Sequence, residues 1–117
     1  MSDVLNPVDV ETKIQEVSNR IANGVQVITG AERDARAKRR AFDLAFAHAY
    51  KNAEGPAHER KYSAEIQAMP HREAAEVAEI ALHHAERTAK ALEKELFAWQ
   101  SINGNLRAMY NAAGVRT

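Results

Sequence analysis

The sequence predicts an all-α protein of two long antiparallel helices, folded as a helical hairpin with a short connecting helix and assembled into a homo-oligomer. Three observations carry this. Apolar residues return every three or four positions over two long stretches, the spacing that lines one face of a helix. The only Gly-Pro pair, Gly55-Pro56, falls between those stretches. The one strand-like run, Val25-Gln26-Val27-Ile28-Thr29, has no second strand to pair with.

At 117 residues the chain fits a single domain. Residues 1–8 read as a flexible leader, with Asn6-Pro7 a turn or helix-start signal and Asp9 the expected cap of the first turn. The first long helix is expected over 9–53. Ile14, Val17, Ile21, Gly24, Ile28, Ala31, Ala35, Lys38, Phe42, Ala45 and Ala49 keep a seven-residue repeat with a at Ile14 and d at Val17, a coiled-coil pattern. Gly24 and Lys38 are poor d residues, and a Gly costs a helix about 1 kcal/mol against Ala. A bend between Gly24 and Gly30 is therefore an expectation.

The connecting corner is expected at 56–69, with a short helix over 57–68. Pro70 disfavours helical geometry at Met69 and suits the first turn of a new helix. The second long helix then runs over 71–113, about 65 Å at 1.5 Å per residue. Its expected core stripe is Val77, Ala81, Ala85, Thr88, Leu92, Leu96, Trp99, Ile102, Leu106, Met109 and Ala113. Asn103-Gly104-Asn105 suggests a kink or a close helix crossing.

Two helices that each bury one stripe make a thin core, the more so with Ala the commonest apolar residue and aromatics only 6%. There is no Cys, so the missing surface is not supplied by disulfides, and another subunit is the expected source. Ile14, Val17, Ile21, Ile28, Phe42, Leu92, Leu96, Trp99, Ile102 and Leu106 are the expected hairpin and oligomer core. Val25, Phe46, Leu82, Phe97 and Tyr110 widen the apolar faces.

Charge balances at 16 basic and 16 acidic residues, so no overall field attracts nucleic acid or membrane. The first ten residues lack the basic and apolar regions of a secretory signal, and no uncharged run suits a membrane span. Together with the absence of Cys, this predicts a cytoplasmic protein without membrane association. The exception to neutrality is local. Arg33, Arg36, Lys38, Arg39 and Arg40 stand against only Glu32 and Asp34, a net +3. Arg33, Arg36 and Arg40 share a helix face, and guanidinium forks suit phosphate oxygens. Oligomerisation would array such patches along a nucleic-acid backbone. The plainer reading is a solvated face paired with Glu32 and Asp34. In the corner, Arg60 and Lys61 stand beside Tyr62, which could stack a base or simply pack the turn.

Glu79 and His83 lie four apart, half of a metal site at most, and no His-x3-His pair exists, so no metal and no cofactor are expected. There is no Gly-rich phosphate loop, nucleophile elbow or acid/base pair in a foreseeable cleft, so the chain is expected to be non-enzymatic.

Tyr50, followed by Ala53-Glu54-Gly55, Glu59-Arg60-Lys61 and a long Ala/Glu helix closing on Leu106-Arg107-Ala108, resembles a group of small helical proteins of actinobacterial phages that lie near recombination and single-strand-binding genes. In architecture the chain is similar to the UvsY-type phage recombination mediators. The resemblance spans roughly residues 33–110. It implies a small oligomeric helical protein that holds single-stranded DNA for a recombinase in the host cytoplasm. Arg60 and Lys61 match the short phage motif, whereas Arg33 to Arg40 enter through the charge argument alone.

The expected function is thus a phage recombination or replication accessory that binds single-stranded nucleic acid through Arg33, Arg36, Arg39, Arg40, Arg60, Lys61 and Tyr62. One alternative is a protein-interaction module, such as a phage-encoded inhibitor or adaptor of a host protein. Another is a structural part of a phage particle.

Overall fold

A computed structural model describes residues 6–114. Among them are two α-helices and no strand: α1, Pro7–Asn52, and α2, Ala57–Gly114. Residues 1–5 of the expected leader lie outside the described residues, while its last two, Pro7 and Val8, are helical.

The start of α1 is set by Asn6 rather than by Asp9. The Asp9 N–H donates to Asn6 Oδ1 at 2.9 Å, and Asn6 Nδ2 donates to Asp9 Oδ2 at 2.8 Å. Asn6 is therefore the cap and Asp9 its partner at the third helical position, a variant of the capping box. Pro7 suits the first helical position because its missing N–H would have had no partner there. The helix then passes through Gly24 and Gly30 without a break, so the Val25–Thr29 run is helical. A Cβ built on either glycine meets nothing within 4 Å. Each glycine thus weakens the helix through backbone entropy alone, too little to interrupt so long a hydrogen-bonded run.

α1 ends where the Gly-Pro signal lies. Gly55 takes a φ of 104°, the left-handed region open to glycine. The Ala53 N–H still reaches the Ala49 carbonyl at 3.0 Å, and Arg60 N–H reaches the Pro56 carbonyl at 3.0 Å as α2 begins.

The separate connecting helix expected at 56–69 is absent. α2 is continuous from Ala57 through Pro70 to Gly114. Pro70 removes one hydrogen bond, the one to the Ile66 carbonyl. Ile66 lies on the solvent side of α2, while Ala64 and Ala68 before the proline and Ala75 and Ala78 after it are all buried. Burial on both sides of Pro70 holds one helix direction against the local preference. Nor is α2 interrupted at Asn103–Asn105, where a Cβ on Gly104 would meet open space.

The chain forms two compact units, residues 27–86 and the two ends, up to 26 and from 87 on. The 27–86 unit is an antiparallel helical hairpin. Arg60 reaches Tyr50 beside the turn, and farther from it Arg39 and Phe42 share a groove with Arg72, Ala75 and Glu76. Phe42, Phe46 and Tyr50 form a ladder along α1, with successive ring centroids 6.3 Å apart. The buried residues of α2 here are small: Ala64, Ala68, Ala75 and Ala78. Phe42 lines one groove together with Ala75, so a large ring of α1 stands beside a methyl group of α2 there.

The pattern of burial corrects the expected stripe of α2. The side turned inward over this stretch is Ala75, Ala78, Leu82 and Ala85, of which the expected stripe holds Ala85 alone, and Val77 and Ala81 face outward. Val77 is 67% exposed. α2 carries apolar residues on two faces, and the one with the smaller residues is buried.

In the unit of the two ends, Val10, Val17 and Leu92 are buried. Ile14, Ile21, Leu96, Trp99, Ile102 and Leu106 are half-buried around them. Burying a Val or Leu contributes about 1.5–3 kcal/mol. Arg107 Nη2 stands 3.9 Å from Glu11 Oε1, and Trp99 Nε1–H donates to Glu95 Oε2 at 3.3 Å. Val25, Phe97, Met109 and Tyr110 are exposed.

Candidate nucleic-acid interface on the first helix

The basic face is a property of α1 alone. At 3.6 residues per turn, Arg33, Arg36 and Arg40 fall within about 60° of helix surface and about 10 Å of helix length. Arg33 and Arg40 point away from the inward line of Ile28, Ala31, Ala35 and Phe42, while Arg36 stands at the edge of this face, beside a groove that it shares with Glu79 of α2. Lys38 lies exposed on the other flank of that line.

Acidic neighbours occupy part of the set. Arg36 Nη2 is 3.4 Å from Glu32 Oε1. Arg39 Nε is 3.6 Å from Asp43 Oδ1, and its guanidinium lies 5.7 Å from the Phe42 ring centroid. Asp34, the other expected counter-ion, forms no ion pair among the described residues. Exposed i,i+4 pairs of this kind are worth about 0.3–0.5 kcal/mol, so a phosphate can displace the carboxylate cheaply. Arg33 and Arg40 form no ion pair or hydrogen bond among the described residues.

Arg39 also turns toward a shallow groove of the 27–86 unit, where Arg36, Arg39 and Glu32 face Glu79 across a floor of Ala35, Ala75 and Leu82. The groove mixes both charge signs and lacks the single-sign lining that concentrates a polyanion.

The corner residues form a separate group. From Arg40 to Tyr50 is about 15 Å along the helix. Arg60 is half-buried; its guanidinium lies 4.6 Å from the Tyr50 ring centroid, and Nη2 donates to the Tyr50 carbonyl at 3.0 Å. That carbonyl is among the last four of α1, which lack partners within the helix. Arg60 thus caps α1 from α2 and sits at the negative end of its dipole. The sequence offered no sign of this, because the acceptor is a backbone carbonyl and carries no residue code. Lys61 and Tyr62 are exposed.

His83 stands between two carboxylates, Nδ1 3.2 Å from Glu86 Oε1 and Nε2 3.8 Å from Glu79 Oε1. Among the described residues no group of three or more His, Cys, Asp or Glu is arranged to hold a metal ion. No helix among them is long and apolar enough to cross a membrane.

No family model, curated protein or solved structure matches the chain.

Proposed function

We propose that the protein is a non-enzymatic, oligomeric helical protein that binds single-stranded nucleic acid through the outer face of α1, as a phage recombination or replication accessory acting in the host cytoplasm. The observation that carries the reading is the shared face of Arg33, Arg36 and Arg40, two of them free of acidic partners among the described residues. Helical spacing sets these forks in a row, and a flexible single strand can follow such a row more readily than a stiff duplex. Exposed Lys61 and Tyr62 extend the reading to the corner, with Tyr62 as a stacking surface. Arg60 supports them indirectly, by holding the start of α2 against the end of α1. A recombinase is the partner that the phage resemblance implies.

The test is anisotropy titration of a labelled single-stranded oligonucleotide beside a duplex of the same sequence. The reading expects the single strand to bind more tightly, and Arg33→Ala with Arg40→Ala to weaken both. Equal binding of wild type and the double variant would remove the α1 face from the account.

A second reading, a protein-interaction module docking on a host protein, is favoured by Phe97, 72% exposed beside Lys90, Glu93 and Lys94. It expects no salt-sensitive binding to oligonucleotides.

A further inference from the structure

α2 has a second apolar stripe, opposite its buried one. Tyr62, Ile66, Met69, Val77 and Ile80 are all exposed, Ile66 at 73% and Ile80 at 64%. At 100° per residue they lie within about 40° of a line through Glu73, on the far side from Ala64, Ala68, Ala75 and Ala78. Monomers rarely expose a continuous apolar row, which marks an interface when it occurs.

The order of the stripe says what covers it. From Tyr62 through Ile66, Met69, Glu73, Val77 and Ile80 to His84, the steps are four, three, four, four, three and four. The spacing reads the same in both directions about Glu73. Any helical residue shares its face with positions four and seven away on either side, so what distinguishes Glu73 is that both sides carry large apolar residues, Met69 with Val77 and Ile66 with Ile80, as a self-complementary two-fold interface needs. We propose that this stripe of α2, from Ile66 to Ile80, docks a second copy of the chain, antiparallel, about a two-fold axis at Glu73.

In that arrangement Ile66 packs beside Ile80 of the second copy and Met69 beside its Val77. The pairs sit slightly to either side of the central line, so they interdigitate instead of meeting head-on. The flank supplies charge complementarity. Glu65, Arg72, Glu76 and His83 lie along one side of the stripe. The antiparallel pairing sets Arg72 against Glu76 of the second copy and Glu65 against its His83, each twice by symmetry. Arg72 of each copy also flanks the two Glu73 carboxylates at the axis. The two Arg72 guanidiniums also come close across the axis, each flanked by Glu76 of the second copy, whereas a parallel pairing would oppose every charge of the flank to its like. Within one chain Arg72 Nε is 3.3 Å from Glu76 Oε1, an exposed pair exchanged at little cost. On the other flank Pro70, Ala74 and Ala81 leave room for close approach of the backbones. The inference stands on α2 alone and does not depend on nucleic-acid binding.

Sedimentation equilibrium on the full chain tests it. Wild type is expected as a dimer, Ile80→Lys as a monomer of unchanged helicity with association weakened about tenfold or more, and Leu44→Lys, 60% exposed on α1, as a dimer. Arg72→Glu and Glu76→Arg should each associate poorly alone and pair when mixed, because the mixture restores both cross-copy contacts. With no native Cys, Ile66→Cys and Ile80→Cys can be joined by a short bifunctional maleimide. The antiparallel pair cross-links only when the two are mixed, since identical positions stand about 21 Å apart along the helices. A monomeric wild type, equal masses for wild type and Ile80→Lys, or cross-linking of either single-Cys variant with itself would overturn the proposal.

Discussion

The guanidinium of Arg60 lies 4.6 Å from the ring centroid of Tyr50 and donates to the carbonyl of the same residue at 3.0 Å. One side chain from the first turn of α2 thus engages both the last turn of α1 and an aromatic ring that closes the Phe42–Phe46–Tyr50 ladder. It fixes the corner from which the hairpin of residues 27–86 is built.

Replacing Arg60 with Ala should lower stability by about 1–3 kcal/mol, from loss of a charge-assisted hydrogen bond and a cation–π contact. Arg60→Lys should recover part of this, because an ammonium keeps the charge but lacks the planar fork. Urea unfolding followed by circular dichroism measures both. An unchanged midpoint for Arg60→Ala would show that the corner is held by other contacts.

The glycines should divide by sign. Gly24→Ala and Gly30→Ala should each raise stability by roughly 0.5–1 kcal/mol, since both sit within α1 and a Cβ there meets nothing within 4 Å. Gly55→Ala should lower it by about 1–2 kcal/mol, because Gly55 has a φ of 104° and its Cβ would stand 2.9 Å from Glu59 Oε2. Thermal unfolding of the three variants decides this, and destabilisation by Gly24→Ala would mean that the space beside Gly24 is occupied.

The inward face of α2 can be read by truncation. Leu92→Ala should cost about 2–5 kcal/mol as a buried leucine, and Val77→Ala should change the stability of the monomer by no more than about 0.5 kcal/mol. Both are read by urea unfolding of chains that also carry Ile80→Lys, so that association does not enter. Equal costs at the two positions would place Val77 in the core.

The all-α class and the two long helices were legible because their signals are redundant. Ile14, Val17, Ile21 and Ile28 repeat one spacing, and Gly55-Pro56 stands where it stops. The inward side of α2 at Ala75 and Ala78 was not legible, because Val77 looks more core-like than the alanines that are buried. Which face turns inward depends on what the other helix presents, information that no local window holds. Pro70 misled for a similar reason: its local rule is sound, but burial on both sides outweighs it. Of the candidate site, the shared face of Arg33, Arg36 and Arg40 follows directly from spacing. The corner role of Arg60 requires the third dimension.

The salt dependence of binding to a single-stranded oligonucleotide tests the central claim most directly. Wild type and Arg33→Ala/Arg40→Ala should be titrated by anisotropy from low to moderate salt. If the two arginines contact phosphates, wild-type affinity falls as salt rises, and the slope of log K against log salt in the variant is shallower by about 1.4, or about 0.7 per lost contact. Parallel slopes, or no binding by the folded wild type at low salt, would contradict the assignment of α1 as a nucleic-acid interface.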